Sequence, residues 1–153
     1  MKSRVRIISK IESRAGIANL NEILEVVDGI LIDRGDLSRE ISISKIPVAC
    51  NLILARCKEV EKPCFIATDV LENMLINPLP SRAEISDLYN LFSRGVSGIV
   101  LAAEVAVGKY PVECVHVVKY MSKLYEAERT GLHWFMPDSK NRENLPKVLS
   151  DWL

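Results

Sequence analysis

The fold of this chain is decided by residues 28–37, which read DGILIDRGDL. Positions 29–32 are nearly all apolar, as expected of a parallel β-strand that is covered on both faces. Asp33 and Asp36 follow directly, so the buried strand ends in a charged turn. Parallel α/β folds bind their ligands at such turns, outside the carboxyl ends of the strands. The stretch therefore predicts an α/β fold and the edge of the sheet at which its chemistry lies.

Outward from this stretch, a strand pattern followed by a helical pattern occurs four times. The apolar residues of the helical patterns recur at the spacing of one helix face, for example over residues 17–27 and in the segment that bears Leu52 and Val60. Strand then helix, four times over, predicts a parallel (βα)4 arrangement. The predicted strands are Val5–Ile11, Gly29–Ile32, Cys64–Ala67 and Val96–Leu101.

The last two helices carry explicit start and stop signals. Residues 81–84, Ser-Arg-Ala-Glu, form a capping-box pattern, which predicts a helix from there to Arg94. Gly95 is placed to end that helix, because glycine readily adopts the left-handed conformation that follows a helix. Pro111 is placed to begin the final helix.

The length of the chain, 153 residues, suits one domain with a real core. We expect this domain to span residues 1–130. Residues 131–153 differ, because they set Trp134, Phe135 and Trp152 among polar residues and prolines. They are predicted to be a C-terminal tail that packs through its aromatic residues, or the edge of a further element.

The composition argues against several classes of partner. Lys plus Arg and Asp plus Glu balance at 20 each, so there is no basic excess for nucleic acid or anionic membranes. No apolar run approaches the roughly 18 residues of a membrane span, and the start leads into a strand pattern rather than a signal-peptide core. We therefore expect a soluble cytoplasmic domain without nucleic-acid or membrane partners, with a plastid as the alternative location.

The four cysteines are not spaced as a metal site. None of them forms a C-x-x-C pair, which makes a zinc site a poor interpretation. We expect Cys50, Cys57, Cys64 and Cys114 to be buried thiols.

Side chains able to do chemistry follow three of the predicted strands. If the strands are parallel neighbours, these groups converge at one edge of the sheet, and their carboxylates would favour a hard divalent cation such as Mg²⁺. A lysine among them would then be a point charge for an anionic substrate. The alternative is that charged residues at strand ends are simply solvated. The residues are Lys10 and Glu12, Asp33 and Asp36, and Thr68 and Asp69.

Five blocks of sequence, in order between residues 5 and 127, resemble the pyruvate kinase family. The first, residues 7–12, is similar to the active-site signature of the family, and residues 28–37 resemble its Arg-Gly-Asp-Leu segment. The remaining blocks are residues 62–74, residues 80–87, which are close to a Pro-Thr-Arg-Ala-Glu block, and residues 108–111. The resemblance implies the second half of a TIM-type barrel that binds phosphoenolpyruvate.

The resemblance also implies roles for individual residues. Glu12 and Asp36 would be the ligands of Mg²⁺, or of Mn²⁺ in its place. Lys10 would lie against the phosphoryl group in flight and stabilise the enolate that forms as it leaves. The backbone N–H groups of Gly35 and Asp36 would hold the substrate carboxylate. Thr68 would hydrogen-bond the same carboxylate, near the methyl carbon of pyruvate that gains or loses a proton.

Several residues depart from the family pattern. Asp33 stands where the family usually has a small residue, and it adds one more carboxylate beside the metal ligands. Arg34 is expected to be a structural ion-pair partner rather than a catalyst. Other departures are Ser38, Asp69, Ala102 and Val105.

Half of an eight-stranded barrel also leaves two strand edges open. The first four barrel strands of the family have no counterpart here, so we expect the edges to be covered by a homo-oligomer, by the tail, or by a partner that supplies the other half barrel. The alternative is that these residues are a piece of a longer protein.

Three functions follow from these observations. The first is a pyruvate kinase-like domain that binds Mg²⁺ and phosphoenolpyruvate, pyruvate or a related 2-oxo acid. The full glycolytic kinase reaction, phosphoryl transfer to ADP, is expected only if the missing half is supplied. The second is a catalytically degenerate paralogue that acts as a binding or regulatory module. The third is a metal-dependent lyase or decarboxylase of a 2-oxo acid.

Overall fold

The four predicted strands form one parallel sheet in the computed structural model, which describes residues 5–130. Each strand is hydrogen-bonded to the next one along the chain, and every pairing is parallel. The predicted parallel (βα)4 arrangement is confirmed, although the first and last strands are shorter than the sequence suggested. The strands are β1 (Ile8–Ile11), β2 (Gly29–Asp33), β3 (Cys64–Ala67) and β4 (Gly98–Val100).

The described residues divide into two compact units, 5–69 with 95–100 and 70–94 with 101–130. The first unit holds the sheet and the second is helical. Helices of the first unit are α1 (Arg14–Ala18), α2 (Leu20–Val26), α3 (Arg34–Glu40), a 3₁₀ turn at Ile43–Lys45 and α4 (Ile46–Glu59). Those of the second unit are a 3₁₀ turn at Glu72–Leu75, α5 (Arg82–Ser93), α6 (Ala103–Ala106) and α7 (Pro111–Arg129).

The helical pattern of residues 17–27 belongs to two helices rather than one. The break lies at Asn19, whose backbone dihedrals (φ −101°, ψ 21°) leave the helical region. Its side-chain amide donates to the carbonyl of Ala15 at 2.9 Å. Asparagine competes in this way with regular helix bonding, because its short side chain offers the backbone an alternative partner. The apolar spacing continues across the break, so periodicity alone could not locate it.

A row of isoleucines crosses the sheet in register and forms the core of the first unit. Ile11 pairs with Ile32, Ile32 with Ile66, and Ile66 with Ile99. The first three are fully buried. On the opposite face, Leu31 is only half-buried. The sheet therefore has one closed face and one partly open face.

The capping box predicted at residues 81–84 is present at the start of α5. The Ser81 hydroxyl accepts from the backbone N–H of Glu84 at 3.2 Å, and the Glu84 carboxylate accepts from the N–H of Ser81 at 2.6 Å. We expect Ser81→Ala to lower the free energy of unfolding by about 1 kcal/mol, because one helix N–H loses its partner. Urea denaturation measures the loss.

The control for this capping variant is Ser86→Ala in the same helix. The Ser86 hydroxyl is exposed and donates to the carbonyl of Arg82, so its loss should change stability by less than about 0.5 kcal/mol. Equal destabilisation by the two substitutions would contradict a specific capping role for Ser81.

Two other expectations about the chain can be compared with the structure. All four cysteines are buried and none of them is in a disulfide, which confirms their interpretation as buried thiols. None of the helices within residues 5–130 has the length and apolarity that crossing a bilayer requires. The predicted aromatic tail, residues 131–153, lies outside the described residues, and the domain boundary at residue 130 stays a prediction.

Candidate functional site

The polar residues at the strand ends all lie in the first unit. Lys10 lies in β1, and Glu12 is the first residue after this strand. Asp33 ends β2, and Asp36 lies in the first turn of α3. Thr68 comes directly after β3. Because the three strands are parallel neighbours, these residues share one edge of the sheet, as the sequence predicted.

Three carboxylates surround the ammonium group of Lys10. Its Nζ lies 2.7 Å from Glu12 Oε2, 2.8 Å from Asp33 Oδ2 and 3.3 Å from Asp36 Oδ2. The exposed Arg39 adds a second positive charge at the rim, 3.3 Å from the other oxygen of Asp36. One central cation shared by three carboxylates leaves an excess of negative charge at the site. This excess favours the binding of a further cation.

Asp33 is the most buried member of this cluster, with 6% of its surface exposed. Its Oδ1 accepts from the backbone N–H of Asp36 at 3.2 Å and from the Thr68 hydroxyl at 2.9 Å. Asp33 is therefore also the N-cap of α3. The sequence placed Asp33 among the carboxylates expected at this edge but gave it no role as a ligand of metal or substrate. The signal that could have revealed it is an aspartate between a strand end and a helix start.

The charges of Lys10 and Asp33 stabilise each other. The hydrogen bond with Asp33 is the largest cause, and that with Glu12 the next, of a pKa of Lys10 well above its ordinary value. Burial acts to raise the pKa of Asp33, but Lys10, the N–H of Asp36 and the Thr68 hydroxyl together outweigh it. The pKa of Asp33 is therefore lowered on balance, and at neutral pH both groups are charged.

Thr68 lies in an unusual turn that Arg34 holds in place. Thr68 and Asp69 have positive φ angles, 64° and 53°. A β-branched residue rarely adopts this conformation, which costs on the order of 1–3 kcal/mol. The Arg34 guanidinium donates to the carbonyl of Thr68 at 3.1 Å and to that of Asp69 at 2.7 Å. Arg34, predicted to be structural, thus stabilises the turn that presents the Thr68 hydroxyl.

Gly35 allows this turn to approach α3 closely. Its N–H donates to Thr68 Oγ1 at 2.7 Å. A Cβ at this position would lie 3.3 Å from the same oxygen, which is tighter than ordinary contact. Glycine therefore brings the Thr68 hydroxyl to the first turn of the helix.

The carboxylate cluster suits a magnesium or manganese ion in donor type and spacing. One oxygen each from Glu12, Asp33 and Asp36 lie within 4.8 Å of one another. Carboxylate oxygens are the ligands that these hard cations prefer. Glu12 Oε2 is shielded from solvent and accepts no aligned hydrogen bond, even though Lys10 Nζ is 2.7 Å away. A carboxylate oxygen that is shielded from solvent and paired with the Lys10 ammonium fits a metal ligand.

Comparison of the sequence with known proteins places the chain in a family. The model of the pyruvate kinase barrel domain matches residues 1–115. The chain belongs to the pyruvate kinase family. It is 42% identical to a pyruvate kinase of Thermotoga maritima over 146 residues, which is 95% of this chain and 31% of that enzyme. It is 38% identical to a pyruvate kinase of Clostridium acetobutylicum over 150 residues, with the same coverage of both chains.

A third relative, a pyruvate kinase of Dictyostelium discoideum, is 46% identical over 114 residues, 74% of this chain and 22% of its own length. The chain thus spans less than a third of the pyruvate kinases it matches. Family membership and the four parallel strands confirm the fold prediction, which was the (βα)4 half of a TIM-type barrel.

Within this pyruvate kinase-family domain, the structure brings Lys10, Glu12 and Asp36 into contact, and it brings Gly35 and Thr68 into contact beside them. All five were predicted as site residues. Their roles toward metal and substrate stay predictions.

Proposed function

We propose that this domain binds Mg²⁺ or Mn²⁺ through Glu12 and Asp36, together with phosphoenolpyruvate, pyruvate or a related 2-oxo acid. The observation that carries the proposal is the convergence of three carboxylates on Lys10 Nζ, all within 3.3 Å. Such a cluster has the oxygen ligands and the excess negative charge that a hard divalent cation needs. Membership of the pyruvate kinase family supports the choice of ligand.

Each residue has a role that follows from its position. A bound cation would polarise the oxygens of the 2-oxo acid and neutralise charge that develops on them. The Lys10 ammonium, held charged by its neighbours, stabilises an enolate oxygen or a phosphoryl group placed beside it. The Thr68 hydroxyl and the N–H groups of Gly35 and Asp36 would be the donors to a ligand carboxylate at this edge, once released from their acceptors within the chain.

Phosphoryl transfer to ADP would need parts that the described residues do not contain. In that reaction the phosphate leaves phosphoenolpyruvate for ADP, and the enolate that remains takes up a proton to become pyruvate. The exposure of Ile8 in β1 and Val100 in β4, the two outer strands, supports a partner that covers these edges. We propose that the other half of a barrel covers these edges, supplied by a second copy, by a separate protein or by further residues of a longer chain, in the cytoplasm or in a plastid.

The second candidate function is a binding or regulatory module without catalysis. The arrangement around Asp33 favours it, because Asp33 accepts hydrogen bonds from donors that a substrate carboxylate would need. Under this alternative the domain keeps its affinity for metal but does not exchange the methyl protons of pyruvate with solvent.

Titration of the purified chain with Mn²⁺ and then with oxalate, a mimic of the pyruvate enolate, tests the proposal. Electron paramagnetic resonance measures the concentration of free Mn²⁺, and calorimetry measures the binding of oxalate. We expect Glu12→Gln to weaken Mn²⁺ binding at least tenfold, or about 1.4 kcal/mol, because a neutral amide replaces a carboxylate ligand.

The matched control for this titration is Glu22→Gln, which makes the same change at an exposed position of α2. Its affinity for Mn²⁺ should equal that of the wild type. A wild-type chain that does not bind Mn²⁺, or a Glu12→Gln variant that binds it equally well, would contradict the proposal.

A further inference from the structure

Four hydrogen-bond donors meet at the carboxyl ends of β1, β2 and β3, and all four already have acceptors within the chain. The N–H of Gly35 donates to Thr68 Oγ1 at 2.7 Å, and the N–H of Asp36 donates to Asp33 Oδ1 at 3.2 Å. The Thr68 hydroxyl has two acceptors within reach, Asp33 Oδ1 at 2.9 Å and the Ala67 carbonyl at 2.6 Å. Lys10 Nζ lies 2.8 Å from Asp33 Oδ2.

Three of these four donors reach the same carboxyl group, that of Asp33. Asp33 Oδ1 accepts hydrogen bonds from the backbone N–H of Asp36 and from the Thr68 hydroxyl. Asp33 Oδ2 forms the ion pair with the Lys10 ammonium. A ligand carboxylate bound at this edge would need the Asp36 N–H and the Thr68 hydroxyl, which are two of the groups that Asp33 occupies. The side chain is therefore placed as a ligand carboxylate would be, but it is covalently attached to β2.

We propose that Asp33 determines the specificity of this site by filling, with its own carboxylate, the place in which a ligand carboxylate would bind. The inference rests on the proposed function, because it concerns the ligand of that same site. It predicts that the wild-type chain prefers cations to carboxylate anions. A 2-oxo acid must displace Asp33 or bind through the cation and Lys10 alone.

Two features keep the carboxylate of Asp33 in this place. It is the N-cap of α3, so its movement would leave the Asp36 N–H without an acceptor. Asp33 is also 94% buried, and its movement would break the ion pair with Lys10. A second carboxylate entering beside it would meet the negative charges of Glu12 and Asp36 as well.

The experiment removes the internal carboxylate and offers a free one of similar size. Asp33→Ala and the wild type are titrated with formate in EDTA, and the backbone amide signals of Gly35 and Asp36 are followed by NMR. We expect Asp33→Ala to bind formate at least ten times more tightly than the wild type, with the largest shift at Asp36. Working in EDTA separates this result from metal binding, on which the proposed function depends.

Two further variants keep the test decisive. Asp33→Asn retains an acceptor of the same shape and should resemble the wild type in its weak response to formate. Asp33→Gly removes the carboxylate and leaves the Asp36 N–H free, and glycine is tolerated at an N-cap at small cost, so it replaces Asp33→Ala if the alanine variant does not fold. Equal formate affinity in the wild type and in a folded variant without the carboxylate, whether both bind or neither does, would overturn the inference.

Discussion

Replacing Lys10 with methionine is expected to destabilise the chain by about 2 kcal/mol in EDTA and by less than about 1 kcal/mol in excess Mg²⁺. Without the ammonium group, the carboxylates of Glu12, Asp33 and Asp36 repel one another with no central counter-charge. Removing one partner of a fully buried ion pair costs about 3–5 kcal/mol, and the partial exposure of Lys10 reduces that figure. A divalent cation can take over the lost charge.

Urea denaturation in EDTA and in Mg²⁺ measures this effect. The control is Lys58→Met, which removes an exposed lysine from α4 and should change stability by less than about 0.5 kcal/mol in either condition. A Lys10→Met variant that loses the same stability with and without Mg²⁺ would show that the cation does not replace the ammonium group.

Replacing Gly108 with alanine is expected to lower the free energy of unfolding by about 3 kcal/mol. A Cβ at this position would overlap the carbonyl oxygen of Glu104 and would lie 3.0 Å from the carbonyl carbon of the same residue. Rotation of a side chain cannot relieve a clash with the backbone, so the end of α6 must move. That movement disturbs Glu104, whose buried carboxylate accepts from the N–H of Ala102 at 2.8 Å.

The matched control for this glycine is Gly16→Ala in α1. A Cβ there would meet Ile11 at 3.5 Å, which is ordinary contact, and alanine favours a helix more than glycine does. We expect Gly16→Ala to leave stability unchanged or to raise it by up to about 1 kcal/mol. Thermal and urea unfolding measure the stability of both variants. A Gly108→Ala chain as stable as the wild type would contradict the steric argument.

Much of the fold was predictable because its signals are local. The apolar run at residues 29–32 predicted β2, and residues 81–84 predicted the start of α5 with both of its capping hydrogen bonds. Pro111 predicted the first residue of α7. The break at Asn19 was not predictable from periodicity, because the apolar face continues through it while the backbone does not.

The candidate site was predicted less completely than the fold. The sequence placed Lys10, Glu12, Asp36 and Thr68 at the ends of three strands, and parallel pairing does bring those ends together. It could not reveal that Asp33 would receive most of the local hydrogen bonds. That outcome depends on where the Thr68 turn and the Lys10 side chain lie in space, 35 and 23 positions away along the chain.

By itself, the sequence determined the four strands, their parallel order and the family, since these follow from patterns within a few neighbouring residues and from motifs in a fixed order. Only the tertiary structure decided which donor meets which acceptor. Hydrogen bonds and ion pairs depend on tenths of an ångström and on direction, and those are set by strand register and backbone turns. For this reason the carboxylate of Asp33, one of several acidic groups in the sequence, became the buried centre of the site.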